Sequence, residues 1–187
     1  MQSGGLEADN SRGMNDIALA ALRTRITRVY PEQIRASLGA LSEEQVWWRP
    51  NEKANSVGNL VLHLTGSLNH YLNRNLGHIP YDRDRAAEFA ERREIPKAEL
   101  LAHFDDMVAN ATRTLDAMPP ETLDAPSPEP AMAAVILEDL LNIATHVATH
   151  TGQIVWITKM LQEGALDEVW MKTHRDGGAW KKREPGK

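Results

Sequence analysis

The chain has 187 residues and 20.9 kDa, with 42% hydrophobic and 25% charged residues, which fits a single globular domain around one core. A net charge of −5 leaves no electrostatic footprint for a nucleic-acid partner outside the last stretch, and the longest purely apolar run, residues 131–137, falls short of the ~20 needed to cross a bilayer. Cysteine is absent, which excludes disulfides, thiolate zinc sites, iron–sulfur clusters and a thiol nucleophile; any transition metal must be held by nitrogen and oxygen.

Residues 1–13 contain Gly and Ser with Glu7, Asp9 and Arg12 interspersed and no apolar core of a secretory signal, so they read as a flexible segment of a cytoplasmic protein. Beyond them apolar residues recur at helical spacing. Leu19, Leu22, Ile26, Val29, Ile34 and Leu38 form a stripe over 15–38, where Pro31, lacking an amide proton, predicts a kink near Tyr30 and Gly39 a stop. Ser42-Glu43-Glu44-Gln45 has capping-box spacing and predicts one short turn carrying Trp47 and Trp48, broken by Arg49-Pro50-Asn51. Ser56 is a good N-cap for a second long helix through Leu60, Val61, Leu64, Leu68, Tyr71 and Leu72, ending at Gly77 in the left-handed position. The charged run from Asp82 to Glu88 reads as a solvated helix start with Glu88 paired to Arg92. Pro96 opens a third helix through Leu100, Phe104, Met107, Ala111 and Leu115, ended by Pro119-Pro120. A Pro-rich crossover leads to a fourth helix over 133–163, stopped by Gly164.

The reading is all-α: a four-helix bundle over 14–164 with long crossover loops. The extension 165–187 follows. From Met171 onward it carries six basic residues against two acidic ones, and Trp170 and Trp180 predict packing on the bundle or on a second subunit.

The histidines carry the chemistry. His146 and His150 stand at i,i+4 on the fourth helix, beside the stripe of Ile143, Val147, Ile154, Ile157 and Leu161. They can face one ion, although the spacing also suits two ordinary hydrogen-bonded rings. His63, one residue from Leu64 on the second helix, can turn inward and complete a three-imidazole set; His70, two turns on, is its rival or a supporting residue. His78, His103 and His174 read as ordinary polar residues. The H-E-x-x-H peptidase pattern is excluded, because Val147 stands at the glutamate position. Three imidazoles would leave a coordination position open, as catalytic zinc sites do.

With Asn59-Leu60-Val61-Leu62-His63-Leu64 and His146-x3-His150-x-Gly152-Gln153-Ile154, the chain resembles the DinB/YfiT-like superfamily of metal-binding four-helix bundles over most of its length. Trp47-Trp48-Arg49-Pro50-Asn51, Asn55-Ser56 and the run from Asp82 to Phe89 resemble an uncharacterised subgroup. The resemblance implies that His63, His146 and His150 are the ligands of a divalent transition metal, zinc or nickel. It also implies a homodimer and a small-molecule substrate, with a low-molecular-weight thiol as cosubstrate. The superfamily it resembles includes thiol-dependent S-transferases, which makes such a transferase the expected function; an open tris-imidazole cation is compatible with it, favouring a thiolate as it favours hydroxide. A metal-dependent hydrolase and a non-enzymatic metal- or ligand-binding bundle are the alternatives.

Helical spacing puts Asn142 one turn before His146, Gln153 one turn after His150 and Asn59 one turn before His63, where each could orient a ligand or make a routine interhelical hydrogen bond. Trp47 and Trp48 read as core, or as the lining of a pocket mouth. Gly152 reads as a site of close helix packing.

Overall fold

The computed structural model describes residues 13–129 and 131–166. Residues 1–12 and the extension from 167 onward, with Trp170, His174 and Trp180, lie outside the described residues.

Every long element is helical: α1 (Met14–Thr24), α2 (Tyr30–Ala40), α3 (Glu43–Trp47), α4 (Val57–Leu68), α5 (Arg85–Ala90), α6 (Lys97–Ala117) and α7 (Ile136–Leu161). Among the described residues the extended pairing is one antiparallel bridge, Pro126 with Val135, which closes the crossover before α7. None of the described helices is long and apolar enough to cross a membrane.

Pro31 is absorbed without ending the helix. Between α1 and α2 the chain widens into a π turn over Arg25–Val29, and Tyr30 donates to the Arg25 carbonyl five residues back, which places the proline in the first turn of α2 where no amide is required. Ser42 and Ser56 both form full capping boxes. Ser42 Oγ accepts from the Gln45 amide and Ser56 Oγ from the Asn59 amide, each returned by the side-chain oxygen of the third residue.

α4 is continued by a second π stretch, Asn69–Arg74, and its end differs from the expectation. Gly77 is not left-handed; His78 takes that conformation, with φ 54°. Glycine is needed at 77 for another reason, since a Cβ there would run into the Thr114 side chain on α6 and the Asn73 carbonyl. Close approach of the two helices, not turn geometry, selects it. Gly164, with φ 75°, does end the α7 region as expected.

The apolar stripes meet in one core. Ile26, Ile34 and Leu38 from the first segment pack with Leu64 and Leu72 of the α4 segment, Leu100, Phe104 and Leu115 of α6, and Leu140 and Ile154 of α7. Each fully buried Leu, Ile or Phe contributes roughly 1.5–3 kcal/mol relative to an exposed one. α4 touches α5, α6 and α7, which brings its one buried histidine against the two on α7.

Candidate metal centre

His63 lies on the inner face of α4, 6% exposed; His146 and His150, one turn apart on α7, are half-buried opposite it. Their ring centroids are 4.9, 5.0 and 4.6 Å apart, and each pair of rings is nearly perpendicular. The Nε2 atoms of His63 and His146 are 2.9 Å apart. One nitrogen from each ring lies within 4.8 Å of the other two, making this the one cluster of three such side chains among the described residues that could hold a metal ion.

The opposite edge of each ring faces an oxygen. His63 Nδ1 is 2.8 Å from Glu88 Oε2, His150 Nδ1 is 2.7 Å from Gln153 Oε1, and His146 Nδ1 is 3.5 Å from Ser67 Oγ. A carboxylate and an amide oxygen can only accept, so His63 and His150 carry a proton on Nδ1, which leaves Nε2 as the nitrogen each can turn toward an ion. The 2.9 Å between the Nε2 atoms of His63 and His146 needs one proton between them in the metal-free protein, so His146 donates from Nε2 and its Nδ1 faces the Ser67 hydroxyl as an acceptor; a metal ion would displace that proton. Three imidazoles with an oxygen behind each ring and one nitrogen from each converging offer a donor set that suits a divalent transition ion.

Glu88 is the best-fixed of these acceptors. Arg83 Nε donates to its Oε1 at 2.7 Å and Nη2 to Oε2 at 2.9 Å, both side chains being 8% exposed, and Arg83 Nη2 also lies 3.3 Å from His63 Nδ1. The α5 helix delivers this carboxylate to α4. Asp84 caps α5 by accepting from the Ala87 amide, Asn59 Nδ2 donates to the Glu88 and Glu91 carbonyls, and Phe89 leans on the His63 ring at 4.6 Å. Gly66 makes room, because a Cβ there would collide with Glu88 Oε1.

Electrostatics favour neutral rings at the two histidines of α7. Burial lowers His146 to about 4, with repulsion from His150, His63 and Arg83 acting the same way. Burial also lowers His150, against the hydrogen bond to Gln153 that favours its charged form. For Glu88, burial pushes the carboxyl up, but the hydrogen bonds from His63 and Arg83 outweigh it and hold it below the ordinary carboxylate value. An ionised Glu88 therefore stands behind His63 at neutral pH.

A family model described as "Protein of unknown function (DUF1572)" matches residues 16–173, a span that includes the three histidines, Arg83 and Glu88. The chain belongs to this family. No curated protein and no solved structure matches it.

In this DUF1572 protein the remaining sequence-predicted residues fall in different places. Gln153 reaches His150, and Asn59 reaches the α5 backbone rather than an imidazole. Asn142 is exposed, and its side chain makes no hydrogen bond among the described residues. His70 sits in the π stretch against Tyr71 and Arg74, apart from the other three rings. Trp47 is core: its ring covers Gly58 and its Nε1 donates to the Ile95 carbonyl. Trp48 is half-buried and lines a cavity beside Gln153. Gly152 is exposed with open space around it, so it serves no close helix contact.

The charged run departs most from its expectation. Asp82, Asp84 and Arg85 are exposed, but Glu88 is buried and bonded to His63 and Arg83, while Arg92 donates to the Phe89 and Glu91 carbonyls. Sequence reasoning missed Glu88, Arg83, Ser67 and Gly66. The available signal was Gly66, since a glycine inside a helix costs ~1 kcal/mol relative to alanine and marks a close approach.

Proposed function

We propose that this protein is a DinB-like four-helix bundle, with rods formed by residues 14–40, 57–74, α6 and α7, and that it is a metal-dependent enzyme of the thiol-dependent S-transferase type. The observation that carries this reading is the convergence of three imidazoles, each backed by an oxygen, with no fourth protein ligand among the described residues. A zinc or nickel ion held by His63, His146 and His150 would supply a positive charge that favours the thiolate of an incoming low-molecular-weight thiol.

Among the chain's own groups, Glu88 is placed to position a ligand and not to act as a base. Among the described residues the carboxylate that contacts the histidines is Glu88, and both its oxygens are engaged by Arg83 and His63 on the side away from the cluster. It orients His63 and has no free edge with which to take a proton from water. A thiol or a water at this centre would therefore be ionised by the charge of the metal, and the choice of the transferase rests on the resemblance to the DinB/YfiT-like superfamily.

Elemental analysis of protein purified without a nickel column tests the centre: about one metal ion per chain is expected, lost in His63→Ala and in His150→Ala with helix content retained. Full metal content in both variants would overturn the ligand assignment. The reaction class is read by thiol loss from bacillithiol, mycothiol or glutathione in the presence of an electrophile, alongside ester and amide hydrolysis. Thiol loss no faster than with metal-free protein counts against the transferase.

A further inference from the structure

A cavity of about 300 Å³ opens beside the histidine cluster, at the small end of the range for ligand pockets. Trp48, Leu60, Gln153, Trp156, Ile157 and Met160 form most of its wall, and none of its lining residues is charged. Leu60 is one turn before His63, and Gln153 is the residue whose oxygen holds His150. The cavity is therefore joined to the histidine cluster through one side chain, Gln153 on His150.

Two features indicate what belongs in it. Trp156 is 66% exposed and Met160 47% exposed, so a large apolar area at the wall is left in water, an arrangement that an apolar ligand would relieve. Gln153 has a fixed polarity. Its Oε1 accepts from His150, so what it can offer a ligand is the amide N–H2, which has no hydrogen-bond partner among the described residues. Asn55, also in the wall, has a side chain with no hydrogen-bond partner among the described residues. A charged ligand would leave its charge unpaired against this wall, whereas a carbonyl oxygen would meet the donor of Gln153.

We propose that this cavity binds the uncharged, apolar part of the substrate, a small aromatic or aliphatic group bearing a hydrogen-bond acceptor such as a carbonyl, and that Gln153 links that acceptor to His150. The assignment of this ligand to the metal enzyme's own substrate rests on the reading above; the binding itself does not require the metal.

Acetophenone and benzoate, similar in size and differing in charge, are the probes. Titration calorimetry and saturation-transfer NMR on the metal-free wild-type protein are expected to show acetophenone binding at least about tenfold tighter than benzoate, and Trp156→Ala to weaken acetophenone by about tenfold or more. Trp156 lies at the surface, so its removal spares the core. Gln153→Glu, which keeps an acceptor for His150 but removes the donor, is expected to abolish acetophenone binding. Equal binding of the two probes, or unchanged binding in Trp156→Ala, would overturn the proposal. Cobalt loading read by visible absorption is a separate measurement. Protein that binds acetophenone but takes up no cobalt sinks the metal reading and leaves the pocket; cobalt uptake with no acetophenone binding does the reverse.

Discussion

His63 on α4 is 6% exposed and held by a carboxylate that is itself clamped by a guanidinium, whereas His146 and His150 on α7 are half-buried and lean on a hydroxyl 3.5 Å away and on an amide of their own helix. On the α4 side, orientation comes from a buried ionic network delivered by a separate short helix. On the α7 side helix register places His150 one turn from both His146 and Gln153, and the tertiary contribution is the longer contact of His146 with Ser67 of α4. The contrast shows two routes to a preorganised ligand: one rigid and expensive in desolvation, the other cheap and open to solvent.

The sharpest way to break this comparison is to delete the buried carboxylate. Glu88→Ala leaves the Arg83 guanidinium buried without its partner, and urea unfolding of the metal-free protein should show a loss of about 3–5 kcal/mol. A loss near zero would mean that the α4 side is no more rigid than the α7 side. The pH dependence isolates α7. His146 titrates at about 4 in the folded chain against 6.5 ordinarily, so the unfolded chain takes up its proton first as pH falls. The contribution of this ring is complete above pH 6.5 and is lost as pH drops through about 4, and a His146→Phe variant should show a shallower decline in stability over that window. Bound metal should delay the decline, because protons and metal compete for the same nitrogens.

Metal affinity sharpens the contrast further. Glu88→Gln keeps the size of the side chain and removes its charge, and competition against a chelator should show zinc bound ~10–100-fold more weakly. Gln153→Ala, on the exposed side, should weaken zinc by about tenfold at most. If the two variants ranked in the opposite order, the division between a rigid and a cheap side would fail.

The legibility of the site follows the same division. His146, His150 and Gln153 were readable because they share one helix, and His63 because the Leu60–Leu64 stripe sets the inward face of α4. Glu88 and Arg83 were not, because a run of alternating charges is usually solvated and nothing local says that one of its carboxylates is buried. The kink expected at Pro31 and the stop expected at Gly77 show the limit on the fold side. The sequence signalled an irregularity at each place, but a π turn and a close contact with Thr114 are the forms it took.

Periodicity, caps and prolines were enough to specify the long helices, their inward faces and the pair of imidazoles on α7, because each depends on residues within a turn or two of one another. Docking of α5 on α4, the glycine gap that admits Glu88, and the cavity beside Gln153 depend on side chains far apart in the chain, and only the packing of separate helices could bring those together.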